Sequence, residues 1–447
     1  MRPSLALASF AALFLLLPGC PAVPSTPDGG SDGGSGPTPP AFYCPGSEGC
    51  PSADGPLVAG AAAIPITPSG FEVPRLEYLE REGDRCDVGM RCGELSEKAF
   101  DDCGADGLCS GDPGYPGPDA DGTEGDGIYD FFDDCGRDRI CPDDPAYTGP
   151  DADGTEGNGL FDGLWLAGFG NNRPAVGVHD DIWARAVVIG RGETLVAIAY
   201  LDLVGFFYDD VLRVRERIAQ RAPEIASRLD YVFIGSTHTH EAPDALGQWG
   251  MALPPNYVPA VGLPEAYRSG VNALWWDEVL DKTAEAIVQA AESTRPARAR
   301  VAQGRTGAEG LVRDSRDPRI IDDTLSVLEL LDAEDGSVIT TMINWGNHPE
   351  VLSDINNLIT SDFVHYVRKG VEEGLEAEGE APAVPGRGGI ALYLQGPVGG
   401  LLTPLGSIGA RTRDGVPRDD RRDYEKARAV GERLAEKVLA LLETAEE

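Results

Sequence analysis

The chain has 447 residues, enough for one large domain or two, and carries 74 Asp and Glu against 37 Lys and Arg, a formal net charge of −37. That balance excludes general electrostatic binding to nucleic acid, whose phosphates such a surface repels. About half of the net charge falls between Glu77 and Asp162, where carboxylates crowd glycine-rich turns and invite divalent counter-ions.

The first stretch carries an export signal. Met1-Arg2 precede an apolar run, Leu5 to Leu17, that is short for a bilayer-spanning helix. It ends Leu17-Pro18-Gly19-Cys20, which reads as a lipoprotein signal peptide over 1–20 with Cys20 as the lipidated residue. The expectation is an exported protein, anchored through Cys20 to a bacterial membrane, in the periplasm or at the cell surface. Residues 21–56 are a flexible tether rich in Pro, Gly and Ser, with a small Cys44–Cys50 knot. Cys20 aside, eight cysteines fall into pairs of one spacing: Cys44/Cys50, Cys86/Cys92, Cys103/Cys109 and Cys135/Cys141. An even count at one spacing reads as local disulfides formed in an oxidising compartment.

Leu57 to Pro68 reads as the first strand of a domain that spans 57–76 and resumes over 163–447. Between them, 77–162 lacks core-forming periodicity and contains a repeat of 32 residues. One copy carries Asp119, Asp121, Thr123 and Asp130, and the next carries Asp151, Asp153, Thr155 and Asp162. Carboxylates at loop positions 1, 3 and 12 with a threonine oxygen at 5 suit calcium, a hard cation. These loops resemble those of thrombospondin type 3 repeats and, more loosely, EF-hand loops. The segment is expected to be a disulfide-rich, calcium-binding insertion.

Past Gly163 the pattern is that of an α/β layered domain, a central mixed sheet flanked by helices. Strands are expected over Trp183–Ile189, Thr194–Asp202, Tyr231 onward, Ala297–Gln303, Leu325–Asp332, Thr340–Trp345 and Ile390–Leu394. Helices are expected over Asp209–Leu229, Leu274–Ser293, Phe363–Gly374 and Tyr424–Leu442. The strand from Tyr231 runs into Ser236-Thr237-His238-Thr239-His240, and alternation along a strand points His238 and His240 the same way. His348 follows another strand in Gly346-Asn347-His348-Pro349. Two strand ends that deliver imidazoles into one crevice are a common way to build a metal or acid–base site. Asp202 and Glu350 are candidates for a further ligand.

The order of motifs resembles the catalytic domain of the neutral/alkaline ceramidases. Gly60 to Pro68 is similar to that family's opening strand, and Gly177 to Ala186 to its G-I-x-x-x-L-x-A-R-A segment. Ser236 to Pro243 is similar to its T-H-T-H-S-x-P site. Asn347-His348-Pro349 with Thr360-Ser361-Asp362 matches its H-P and S-D pair, and Tyr393 to Pro404 its nucleophile loop. The resemblance implies a zinc-dependent amidase acting on ceramide or a related N-acyl lipid. His238 and His348 would be zinc ligands, with His240 beside the metal facing substrate or nucleophile. Thr403 would supply the hydroxyl, and Arg316, or Arg313 close by, would stabilise the oxyanion. The chain departs from the family at Glu241 and Thr403, each standing where the family has Ser, and at Gly400. The family's further zinc ligands, a Glu and a Tyr, come from sequence later than the nucleophile loop. The alternative is a ceramidase-like surface binding lipoprotein without catalysis, its repeats stabilised by calcium.

Overall fold

The computed structural model describes residues 54–68, 115–118, 135–138, 140, 142, 145–152, 154–157, 162–171, 173–175, 177–250, 269–399, 402–419 and 421–446. The first half runs β1 (Leu57–Pro65), β2 (Gly177–Val178), β3 (Trp183–Arg191), β4 (Thr194–Leu201), α1 (Tyr208–Arg221), α2 (Pro223–Ala226), β5 (Tyr231–Ser236) and α3 (Ala273–Glu292). The second runs β6 (Arg295–Arg305), β7 (Arg313–Asp314), β8 (Thr324–Asp332), β9 (Val338–Trp345), β10 (Leu358–Ile359) and α4 (Phe363–Glu372). It closes with β11 (Gly374–Leu375), β12 (Val384–Pro385), β13 (Ile390–Gln395), β14 (Leu402–Thr403) and α5 (Tyr424–Leu442). The fold is the expected layered α/β arrangement around a mixed sheet. Among the described residues no helix is long and apolar enough to cross a membrane.

Eight strands form the sheet, in the order β13-β9-β8-β6-β1-β3-β4-β5. Within this sheet β13/β9 and β4/β5 are the parallel pairs, each bridged by a crossover helix, α4 and α1 respectively. The same connectivity therefore occurs twice. An antiparallel run of three strands is followed by a helix, a strand parallel to the third, and a long helix. The first pass is β1-β3-β4-α1-β5-α3 and the second is β6-β8-β9-α4-β13-α5. β1 and β6 join the two passes through only two residue pairs, Val58↔Pro296 and Ala59↔Arg295.

That narrow joint lets the sheet fold over. Eight strands about 4.8 Å apart would hold the edges roughly 34 Å from each other on a flat sheet. Instead β13 touches β5, β4, β3 and β1. The inner faces meet in a core of Ala59 and Val187 from the first half with Ala297, Leu330, Ile339, Met342 and Leu392 from the second. The outer faces carry α3 on β1, β3 and β4, and α5 on β6 and β8. Small residues bring α3 in close: a Cβ at Gly60 would sit 2.2 Å from the Ala290 carbonyl, while Ala62, Ala186 and Ala199 pack nearby.

Local signals set the helix ends. The Asn272 side chain accepts from Leu274 N and Trp275 N to cap α3, and Asp423 caps α5 through Lys426 N. α1 stops short of the expected Leu229 because Pro223 has no N–H to continue it, and α2 starts there as a separate turn. The acidic repeats lie in the connection between β1 and β3. Of their candidate calcium ligands, Asp119, Asp121, Thr123, Asp130 and Asp153 fall outside the described residues, as do all the paired cysteines except Cys135. Asp151 accepts from Arg137 N and from Thr155 Oγ1, both at 3.0 Å, so these two candidates brace one turn. Asp162 is described, at the point where the chain returns to the domain.

Candidate metal centre

β4 and β5 run parallel, as do β9 and β13, and the segments that leave β5 and β9 at their C-terminal ends meet, strand ends being the usual position of a site in an α/β sheet. β5 ends at Ser236. Thr237 N then donates to Leu201 O and His238 N to Leu203 O, which turns the chain across the end of β4. His238 adopts φ 69°, the left-handed region that costs a residue with a Cβ on the order of 1 kcal/mol or more. Strand alternation therefore does not aim the two imidazoles. A strained turn does, and strain of this kind is commonly kept at functional sites.

Three rings converge. Their centroids lie 5.1 Å apart for His238 and His240, 4.9 Å for His238 and His348, and 5.4 Å for His240 and His348. Each offers a ligand atom within 4.8 Å of the others, and among the described residues this is the sole such group of three or more metal-binding side chains. His238 Nδ1 meets Val204 O at 2.6 Å and His348 Nδ1 meets Leu402 O at 2.5 Å. A carbonyl can only accept, so each Nδ1 carries the proton and each Nε2 keeps its lone pair. Burial pushes the pKa of all three below the ordinary 6.5, His240 furthest, and the neighbouring imidazoles push the same way on His238 and His240. Neutral imidazoles with a fixed tautomer are the form a transition metal binds, so the donor set fits zinc.

Two carboxylates flank the rings. Glu350, two residues after His348, places Oε2 3.3 Å from His240 Nδ1, while Oε1 accepts from the Thr403 hydroxyl. Burial raises its pKa. Glu241 is fully buried and pairs with Arg173 at 2.7 Å. Arg173 also donates to the carbonyls of Ala167, His240 and Asn356, so one guanidinium ties the His240 loop to two others. Gly168 lies directly on His240: a Cβ there would meet His240 Cβ at 2.4 Å.

Of the residues singled out by sequence, the structure brings together His238, His240, His348, Glu350 and Thr403. Arg313 stands opposite Thr403 in the β7/β14 pair, and its charge acts on Glu350. Arg316 turns away into a fork on Asp314, at 3.0 and 2.9 Å, with its side chain 42% exposed. Asp202 is not in the cluster. It is fully buried and takes both ends of the Arg368 guanidinium at 2.8 Å. Arg173 has no motif around it that would have marked it.

A second polar centre takes up the remaining two of the five histidines. Asp180 accepts from Thr360 Oγ1, Ser361 N and Ser361 Oγ, with His179 at 2.8 Å and His365 at 3.4 Å. Burial alone would raise Asp180, but its histidine and hydroxyl neighbours hold it below the usual carboxylate range. Thr360 N donates to Glu241 O, which links this centre to the metal-site loop.

No family model and no curated protein matches the chain. Among solved structures it is similar to a ceramidase complexed with C2 at TM-score 0.47 and 20% identity, over 63% of this chain and 41% of that one. It is also similar to the neutral ceramidase from Pseudomonas aeruginosa at TM-score 0.46 and 20% identity, over 63% of this chain and 42% of that one. The chain thus matches less than half the length of either structure.

Proposed function

We propose that the chain is a zinc-dependent amide hydrolase acting on ceramide or a related N-acyl lipid. The observation that carries this reading is the convergence of His238, His240 and His348 with two of the three tautomers locked by backbone carbonyls. The order of the sequence motifs supports the substrate class. His238 and His348 would hold the ion through Nε2, with the His240 ring next to them. Bound zinc polarises an amide carbonyl and lowers the pKa of a coordinated water or hydroxyl. Thr403 presents the hydroxyl at the position of the family's serine, its proton directed to Glu350 Oε1. The oxyanion role goes to Arg313 rather than Arg316, because Arg316 forks onto Asp314, whereas Arg313, whose Nε donates to Leu405 O, stands opposite Thr403. One well-placed donor of this kind contributes about 3 kcal/mol to the transition state.

The test is hydrolysis of a fluorescent ceramide by the purified chain, with chelator and with added zinc. Zinc-dependent release of the acyl product is expected. No turnover by folded, zinc-loaded protein would overturn the reading and favour a non-catalytic surface lipoprotein. For the acidic insertion we propose structural calcium at the repeat loops that begin at Asp119 and Asp151. Millimolar calcium should give a binding isotherm by calorimetry, and a flat trace would remove the idea.

A further inference from the structure

The proposed function assigns two histidines to the ion and leaves the third beside it. We infer that His240 is itself a metal ligand, aimed by Glu350, so that this chain alone supplies a three-imidazole centre. The inference rests on the hydrolase reading for the presence of a metal and goes beyond it in the ligand set.

Four observations carry it. The three centroid distances, 4.9, 5.1 and 5.4 Å, differ by only half an ångström, so no ring is set apart from the other two. A ring that only contacted substrate would have no need to keep a nitrogen within 4.8 Å of both the others. His240 is also the most fixed of the three. It is 9% exposed, and Gly168 presses on its Cβ, where any side chain would collide. Phe169 meets its ring edge-on at 5.1 Å, its N–H donates to Pro349 O, and Arg173 holds its carbonyl. Lastly, Nδ1 of His240 is buried with no well-directed hydrogen bond, and Glu350 Oε2 lies 3.3 Å from it.

For His238 and His348 the atom behind the ring is a backbone carbonyl, and for His240 it is a carboxylate. Carbonyl–imidazole and carboxylate–imidazole pairs are the usual outer supports of zinc-binding histidines. All three rings thus have an acceptor on the side of Nδ1, which leaves the opposite nitrogen for the ion. Three imidazoles and one open position make a recognised catalytic zinc arrangement. Glu350 is a positioning residue here: it acts through His240, and through the Thr403 hydroxyl it joins the metal site to β14. Leu402 O, which holds His348, lies on the same two-residue strand.

Zinc K-edge absorption on the wild-type chain counts imidazole donors directly and needs no variant to fold. Three imidazoles per zinc are expected. Two imidazoles would overturn the inference and leave the hydrolase reading in place, whereas no bound zinc would sink both. Competition with a chromophoric chelator then measures affinity. His240→Ala should weaken zinc binding by at least about 100-fold, and Glu350→Gln by about 10-fold, the lower end for an outer partner. Cobalt-loaded Glu350→Gln should show a shifted visible spectrum, a signature that a merely structural carboxylate would not move. Unchanged affinity in a folded His240→Ala variant, or an unchanged cobalt spectrum in Glu350→Gln, would refute the assignment.

Discussion

Replacing Arg173 with Met tests the loop that carries His240. Arg173 is 1% exposed and its partner Glu241 is fully buried. The substitution keeps much of the volume but strips the carboxylate of its counter-charge. It also leaves the carbonyls of Ala167, His240 and Asn356 without that donor. Removing one member of a buried pair costs about 3–5 kcal/mol where the other stays ionised, which for Glu241 means at and above its raised pKa of about 8. That is about a fifth or more of the stability of an ordinary domain. Glu241→Gln on the Arg173→Met background removes the stranded charge and should recover about half of the loss. The pH dependence follows from Glu241. Burial pushes its pKa from 4.5 up to about 8, even beside Arg173. A carboxylate raised in the folded state stabilises the fold while protonated, and that stability is lost as pH rises from 4.5 through the folded value. Without Arg173 the window extends higher, so the deficit of Arg173→Met should be smaller at pH 5 than at pH 8. Urea titrations of the wild type, both single variants and the double variant provide the measurement. A single variant within 1 kcal/mol of wild type, or a double variant no better than Arg173→Met, would refute the reasoning.

Three further outcomes follow from the geometry. Gly168→Ala forces a Cβ into His240 at φ 117°, so it should cost about 1–3 kcal/mol in denaturant titrations and weaken zinc binding in the same samples; wild-type values for both would contradict the close contact. Phe363→Ala empties the space between Trp345 and Tyr393 at the start of α4 and should cost about 3–5 kcal/mol, read by thermal or urea unfolding; a loss below about 1 kcal/mol would mean that the site collapses freely. Because burial lowers the pKa of His238, His240 and His348, protons should compete with zinc only below the ordinary 6.5. Zinc affinity measured across pH should stay flat down to 6.5 and fall below it, and a decline that begins near neutrality would show exposed, ordinary imidazoles.

Much of the fold could be read in the residues. Apolar runs such as Thr194–Leu201 and Ile390–Gln395 are strands within a residue of their expected ends, and α5 has its expected limits because Asp423 caps it. The convergence of the histidines was legible from their positions after strands, but the way the rings are aimed was not. It depends on Leu201 and Leu203 carbonyls turning the chain, a contact between segments more than thirty residues apart. Asp202 was read as a possible ligand because it ends a strand. Its partner Arg368, on α4, lies 166 residues away, a pairing that no local pattern reveals. The folding-over of the sheet was likewise silent, since it depends on how few pairs join β1 to β6.

The doubled connectivity bears on what an ion at the three histidines would do mechanically. His238 and His240 follow the last strand of the first pass, and His348 the third strand of the second. A cation gripped by all three would be a rivet through the seam of the two passes. Withdrawing it would loosen the rim where they meet and leave the hinge at Val58 and Ala59 untouched, so amide exchange on chelation should quicken at the ends of β5 and β9 together.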